Sequence, residues 1–434
     1  MNGTQMQPLS EELAEALRQR VSQRQRLPVS TYRLQLHAGF TFREARAVVP
    51  YLAKLGITDV YCSPYLRARP GSTHGYDICD HRMLNPELGS DGDYEAFVEE
   101  LAAHQLGQVL DFVPNHMAAD SVMNPWWRDV LEDGAASRFA RFFDIDWHPI
   151  KPELDSKVLL PVLGDHYGLV LERGELQLAF QDGALSLRYF ERDLPIDPAQ
   201  YPRVLGTNLE SLQAELPADS TQLAEFLSIL KALEHLPPAL ESTAERVAER
   251  QREKKIARER LARLAEASAD IRGHIETALK AFNGQAGQPH SFDRLHELLE
   301  NQPYRLAYWR TAFDEINYRR FFDIQELAGV RMEEPEVFEA THELILRLVR
   351  EGKITGLRLD HLDGLYDPAG YVESLQEAVV QEWAADLAPR DTSKEEWRQQ
   401  VRAWRCAERS IAERAMYVVA EKILSGQETV PESW

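Results

Sequence analysis

The 434-residue chain is poor in cysteine, in basic residues and in long apolar runs, and each shortage excludes something. Its three cysteines, Cys62, Cys79 and Cys406, show no CxxC pairing and no zinc spacing, and an odd number argues against a disulfide framework. A reducing compartment, the cytoplasm, is the expected home. Lys and Arg number 49 against 70 Asp and Glu, a net charge of −21. A nucleic-acid binder needs a basic face to replace counterions, so that class is not expected. An anionic membrane surface is disfavoured for the same reason, whereas neutral substrates suit this charge. No apolar run approaches about 18 residues, so no membrane span is expected. The opening "MNGTQMQPLSEELAEALRQRVSQRQRL" lacks the apolar core of a secretory signal. There is no glycine-rich phosphate loop and no metal-ligand cluster, so neither cofactor nor metal is expected.

What is present suffices for a large core. Hydrophobic residues make up 44% of the chain, ordinary for a globular protein, and the length suits two or three domains. Leu13, Leu17 and Val21 recur every four residues, which predicts a helix packed by one edge. An alternation follows: strand 29–36, helix 43–56 closed by Gly56, strand 57–65, a helix capped by Ser90 with Asp93 three residues on, and strand 108–116. Strands alternating with helices predict βαβ units, a parallel sheet and an α/β fold. Val109-Leu110 suits a strand buried on both faces.

The alternation then stops for more than 200 residues. Residues 117–206 read as a β-rich insertion. "GLVLERGELQLAFQDGALSLRYF" predicts three short strands, with turns at Arg173-Gly174 and Asp182-Gly183. Residues 207–300 read as a helical insertion, centred on "TAERVAERQREKKIARERLARLAEA". Its thin apolar stripe is Val247, Ile256, Leu261 and Leu264, and its interleaved charges predict a solvated helix laced by ion pairs. The alternation resumes with helix 335–352, strand 353–364, helix 371–388, a helical stretch from Trp404 to Ala412 and strand 416–424. The expected division is 1–116 and 301–434 as two parts of one α/β domain, with the two insertions between. An eight-stranded (β/α)8 barrel needs three strands beyond the five found.

In such folds, function sits where strands end at their C-terminal side. Strand three ends in Asp111, Asn115 and His116; strand four in Arg358, Asp360, His361 and Asp363; strand five in Glu421. Side chains alternate along a strand, so Arg358 and Asp360 share one face. There an arginine can hold a carboxylate ionised and aimed. A nucleophile for glycosyl transfer is one reading; an ion pair plugging the barrel mouth is the other, and the motif alone leaves both open. Glu421 alone reads as a surface charge. Beside Asp360 it reads as a second carboxylate, an acid and base whose burial raises its pKa. In "STHGYDICDHRMLNPELGS", Tyr76 could stack on a sugar ring, and His74, Asp77 and, on strand three, His116 could bond hydroxyls.

"DFVPNH", "GLRLDHLDG" and "VVAEKI" resemble three of the four short regions of the α-amylase superfamily, in order and on the right strands. "STYRLQLHAGFTFREA", "EINYRRFFDIQELAGVR" and "GLRLDHLDGLYDP" are similar to its maltooligosyl trehalose synthase branch. The resemblance implies a (β/α)8 TIM-type catalytic barrel with Asp360 as nucleophile, Glu421 as general acid/base and Arg358 orienting Asp360. It implies that Asp111, His116, Tyr76 and His74 line the subsite of the attacked glucose, with Asp77 and His361 beside them. Asn317, Tyr318, Arg319 and Arg320 would shape reducing-end subsites. The reaction implied moves the terminal α-1,4 link of a maltooligosaccharide to α,α-1,1, with residues 117–206 as a lid. A trehalose-releasing hydrolase would be the pathway companion. Two departures stand out. Asp363 and Gly364 occupy places where many amylases carry Lys-His, which fits the synthase branch. The fourth region, with a third catalytic aspartate, has no match, so the expectation is a barrel that stops after strand five and poor or no turnover by this chain. An amylase-type hydrolase and an inactive glucan-binding segment remain the alternatives.

Overall fold

A row of apolar side chains organises the first half of the structure. The computed structural model describes residues 8–217, 219–239 and 243–430. They form two units, one from the chain up to Ala118 and from Val330 onward, the other Ala119–Gly329. In the first unit, β1 (Thr31–Leu34), β2 (Asp59–Cys62), β3 (Gly107–Phe112), β4 (Gly356–Leu359) and β5 (Tyr417–Ala420) pair in parallel, in chain order. The register sets Leu34, Cys62, Leu110 and Leu357 side by side, none more than 4% exposed. Full burial of such a side chain contributes roughly 1.5–3 kcal/mol, so this row fixes which face of each strand looks outward to the helices. The opposite face carries Arg33, Tyr61, Asp111 and Arg358 by the same register.

The predicted helices have the predicted ends. Phe42–Leu55 closes on Gly56 in the left-handed region, φ 84°. Asp91–Ala103 starts with the full Ser90/Asp93 capping box. These two helices pack together, with Phe42 edge-on to Tyr94 at 5.2 Å. Helix Glu11–Arg24 buries Leu17 and Val21 completely and lies on helix Pro368–Ala384. Helix Pro335–Arg350 precedes β4, as expected. Among the described residues no helix is long and apolar enough to cross a membrane.

The second unit departs from the sequence reading in three places. "GLVLE" is not a strand: Tyr167–Glu172 is a helix. Its run of five residues before Arg173-Gly174 is too short for periodicity to separate helix from strand. The antiparallel sheet is Gln177–Gln181, Ala184–Tyr189 and Arg192–Pro195, turning at Asp182 and Gly183 with φ 51° and 77°. Gly183 is needed there, because a Cβ would lie 2.1 Å from the Arg258 carbonyl oxygen. Second, residues 301–329 cluster with this unit and not with the resumed alternation. Tyr304–Tyr308 pairs in parallel with Val158–Leu163, which buries Tyr304.

Third, helix Ala244–Ala267 is not solvated all round. Leu261 and Leu264 are buried as predicted, but Ile256 is 44% exposed. Arg250, Lys254 and Arg258, spaced by four, form one face. They meet Asp129, Glu132 and Asp133 of helix Pro125–Asp133, together with Asp197. Arg250 bonds Asp133 at 2.7 Å and Asp197 at 2.5 Å, and its third arm donates to the Pro237 carbonyl at 2.6 Å. Lys254 bonds Asp129 at 3.1 Å, Glu132 at 2.8 Å and also Asp133. Burial alone would raise Glu132, but Arg258 and Lys254 pull it below the usual carboxylate range. Burial pushes Asp133 up despite Lys254, and the Glu132 charge adds to that rise.

Candidate active site

The polar face of the parallel sheet converges on one buried carboxylate, Asp111, whose side chain has no exposed surface. Its Oδ1 accepts from Arg358 Nη1 at 2.8 Å. Its Oδ2 accepts from Tyr76 Oη at 2.6 Å, Tyr61 Oη at 2.7 Å and Arg33 Nη1 at 3.1 Å. Every donor comes from a different element: β4, the loop after β2, β2 itself and β1. Arg358 Nη1 also donates to Asp360 Oδ1 at 2.6 Å, so one guanidinium joins the two aspartates. Asp360 is held at its backbone too, its N–H donating to the Phe112 carbonyl at 2.9 Å.

Glu421 follows β5. Its N–H donates to the Leu359 carbonyl at 2.9 Å, which carries the ladder one residue past the strand. Its Oε2 accepts from the His361 N–H at 3.1 Å. His361 itself stands in the left-handed region, φ 47° and ψ 46°. A non-glycine residue there costs about 1 kcal/mol or more, and such strain clusters at functional sites. Gly364 permits the turn: a Cβ on it would lie 2.3 Å from the His361 ring and 2.8 Å from Asn115 Oδ1. The His361 ring fills the space that a side chain at position 364 would take.

The loop carrying Tyr76 is held from both sides. Gly75 has φ 79°, and a Cβ there would meet the Pro64 carbonyl oxygen at 2.3 Å, so only glycine lets the loop lie this close to the exit of β2. Asp77 is engaged with Ser72 Oγ at 2.6 Å. His74 Nδ1 accepts from the Tyr76 N–H at 3.1 Å, and its ring stacks on Tyr76 with centroids 6.0 Å apart. His116, fully buried, has both ring nitrogens engaged. Nε2 faces the Tyr76 carbonyl at 3.2 Å and Nδ1 faces Asn115 Nδ2 at 3.3 Å. A carbonyl only accepts, so Nε2 carries the proton and Nδ1 takes a hydrogen bond from the amide.

Burial sets the ionisation of the site. It raises Asp360 above the ordinary aspartate value, and the nearby charges of Asp111 and Glu421 add to this; the Arg358 bond opposes them without cancelling them. Arg358 favours the ionised form and aims the group, while desolvation works against that charge. Burial pushes Tyr76 up to about 12, helped by Asp111, and Tyr61 rises for the same reasons. Both phenols stay protonated and donate. Burial disfavours the Arg358 cation, but Asp111 and Asp360 more than compensate, and its pKa lies above the ordinary arginine value.

Of the residues named from sequence, Asp111, Tyr76, Arg358, Asp360, His361, Glu421 and His116 are brought together in the first unit. His74 and Asp77 brace the Tyr76 loop. Asn317, Tyr318, Arg319 and Arg320 belong to the second unit. Asn317 accepts from the Leu159 N–H and donates to the carbonyls of Asp146 and Lys157, each at 2.8 Å. Tyr318 donates to the Gln325 carbonyl at 3.0 Å. Arg319 bonds Asp144 at 3.1 Å, and Arg320 approaches Asp323 at 3.6 Å. Sequence reasoning missed Arg33 and Tyr61. The signal was available: each shares the alternation phase that puts Arg358 on the polar face.

Residues 47–162 match the family Alpha amylase, catalytic domain. Over those residues the chain is similar to an alpha-amylase catalytic domain. Over most of its length it is similar to maltooligosyl trehalose synthases. A Mycobacterium tuberculosis protein of that name is 31% identical over 358 residues, 81% of this chain and 33% of the relative. The maltooligosyltrehalose synthase structure from Arthrobacter ramosus superposes with a TM-score of 0.59 at 28% identity, covering 94% of this chain and 36% of that one. One from Sulfolobus tokodaii, titled a hypothetical maltooligosyl trehalose synthase, gives 0.52 at 27% identity, covering 82% and 34%. The chain thus spans about a third of the length of the relatives it matches.

Proposed function

We propose that this chain contributes the nucleophile and the acid/base of a retaining α-glucan isomerase, which moves the reducing-end α-1,4 link of a maltooligosaccharide to α,α-1,1. The five parallel strands are read as consecutive strands of a (β/α)8 barrel. The observation that carries the proposal is the single guanidinium of Arg358 bridging Asp111 and Asp360, with Glu421 at the end of the next strand. Asp360 Oδ attacks the anomeric carbon of the penultimate glucose while Glu421 gives its proton to the departing glycosidic oxygen. The freed glucose turns and attacks the glycosyl-Asp360 ester with its own anomeric hydroxyl. Glu421 takes that proton, and the Asp360 carboxylate leaves. Two inversions return the α configuration.

Water is the competing nucleophile, so product identity separates isomerisation from hydrolysis. Incubating the chain with maltopentaose and counting reducing ends reads this directly. A fall in reducing ends identifies the isomerase. A rise identifies a hydrolase of the amylase type, and an unchanged count identifies a glucan-binding segment. A cytoplasmic location, and a trehalose-releasing hydrolase acting on the product, belong to the same proposal.

A further inference from the structure

Arg33 lies on β1, far in sequence from every residue given a chemical role above. Its Nη1 donates to Asp111 Oδ2 at 3.1 Å, and its Nη2 donates to Tyr76 Oη at 3.1 Å and Gln35 Oε1 at 3.2 Å. Its guanidinium lies 4.5 Å from the centroid of the Tyr61 ring. Arg33 therefore touches each of the other two groups that donate to Asp111 Oδ2. Asp111 receives two cations, Arg33 on Oδ2 and Arg358 on Oδ1.

The consequence falls on Arg358, whose Nη1 is shared between Asp111 and Asp360. A buried carboxylate without compensation attracts the nearest cation strongly. With Arg33 on its far oxygen, Asp111 is largely neutralised. Without Arg33, Arg358 is left to answer both Asp111 and Asp360. The groups facing Asp360 are Arg358 on its own strand, Asp111 on β3 and Glu421 after β5. Tyr61, Tyr76 and Arg33 stand behind Asp111, and His361, Asp363 and Lys422 follow the strand ends, with Lys422 paired to Asp363 at 2.9 Å.

We propose that Arg33 is a positioning residue: by neutralising Asp111 it leaves Arg358 free to hold and aim Asp360. The proposal rests on reading Asp360 as the nucleophile. Its test is the titration of Asp360, followed by carboxyl ¹³C chemical shifts in the full chain and assigned by its loss in Asp360→Asn. Arg33→Gln, which keeps a hydrogen-bonding end and removes the charge, is expected to raise the Asp360 midpoint by about one pH unit. Arg33→Met is expected to do the same. Arg33→Lys keeps the charge and is expected to restore most of the wild-type midpoint, although the fork of bonds is lost. Tyr61→Phe, which removes one donor and no charge, is expected to move it less. The substituted chains are compared only when their near-UV circular dichroism matches wild type, and Tyr61→Phe and Arg33→Lys supply the comparison if the uncharged variants do not fold. An unmoved Asp360 in folded Arg33→Gln overturns the proposal, as does a Lys variant shifted as far as the Gln variant. With those variants unfolded, a Lys midpoint far from wild type, or a Tyr61→Phe shift larger than one unit, overturns it. A shifted Asp360 in a chain that forms no glycosyl ester leaves the role of Arg33 standing and overturns the nucleophile reading instead.

Discussion

Asp360→Asn is expected to slow glycosyl transfer by about four orders of magnitude relative to the unsubstituted chain, close to 5 kcal/mol of lost barrier lowering. An amide keeps the shape and can still accept from Arg358 Nη1, now 2.6 Å from the carboxylate, but it cannot form the glycosyl ester. Initial rates of reducing-end loss from maltopentaose measure the effect. The pH dependence adds a second expectation. Asp360 must be ionised to attack, and burial has raised its pKa. The rate should therefore fall as pH drops through a midpoint above the ordinary aspartate value. A loss of less than about tenfold in Asp360→Asn would mean that the aspartate is a plug in the sheet and not the nucleophile.

Arg250→Met is expected to destabilise the Ala119–Gly329 unit by about 3–5 kcal/mol. The guanidinium is buried, and three separate groups depend on it: Asp133, Asp197 and the Pro237 carbonyl. Methionine fills much of the volume but leaves two buried carboxylates short of a partner. Asp133 already titrates upward from burial, so its protonation recovers part of the loss at low pH and the deficit should be larger at neutral pH than near pH 4. Urea unfolding of the full chain at both pH values reads the difference. A deficit below about 1 kcal/mol at neutral pH would show that the ionic cluster only replaces contacts that apolar packing supplies as well.

The parts of the fold that proved legible were those set by local rules. The Ser90/Asp93 box, Gly56 after its helix and the apolar-polar alternation of "GLRLD" each act within a few residues, and each structure element stands where they place it. Asp360 and Glu421 could be set on adjacent strands because strand order followed chain order. What escaped the sequence was set by partners far along the chain. "GLVLE" is helical because its five residues carry no period strong enough to choose. The charges of "AERQREKKIARER" looked solvated because their partners, Asp129, Glu132 and Asp133, lie more than 100 residues away. Arg33 was hidden for the same reason, 78 residues from Asp111. Spacing by four at 250, 254 and 258 and by one turn at 129, 132 and 133 was visible in both segments. Only packing shows that the two faces meet.

As the proposed nucleophile, Asp360 should become covalently glycosylated. A maltosyl fluoride carrying a second fluorine on the reacting ring makes the first step fast through its leaving group and slows the second by destabilising the oxocarbenium-like transition state. Intact mass followed by peptide mapping of the labelled chain measures the outcome. One glycosyl group is expected on the peptide bearing Asp360, and no label in Asp360→Asn. A label on Asp111, Glu421 or any other carboxylate, or no covalent adduct at all, would contradict it.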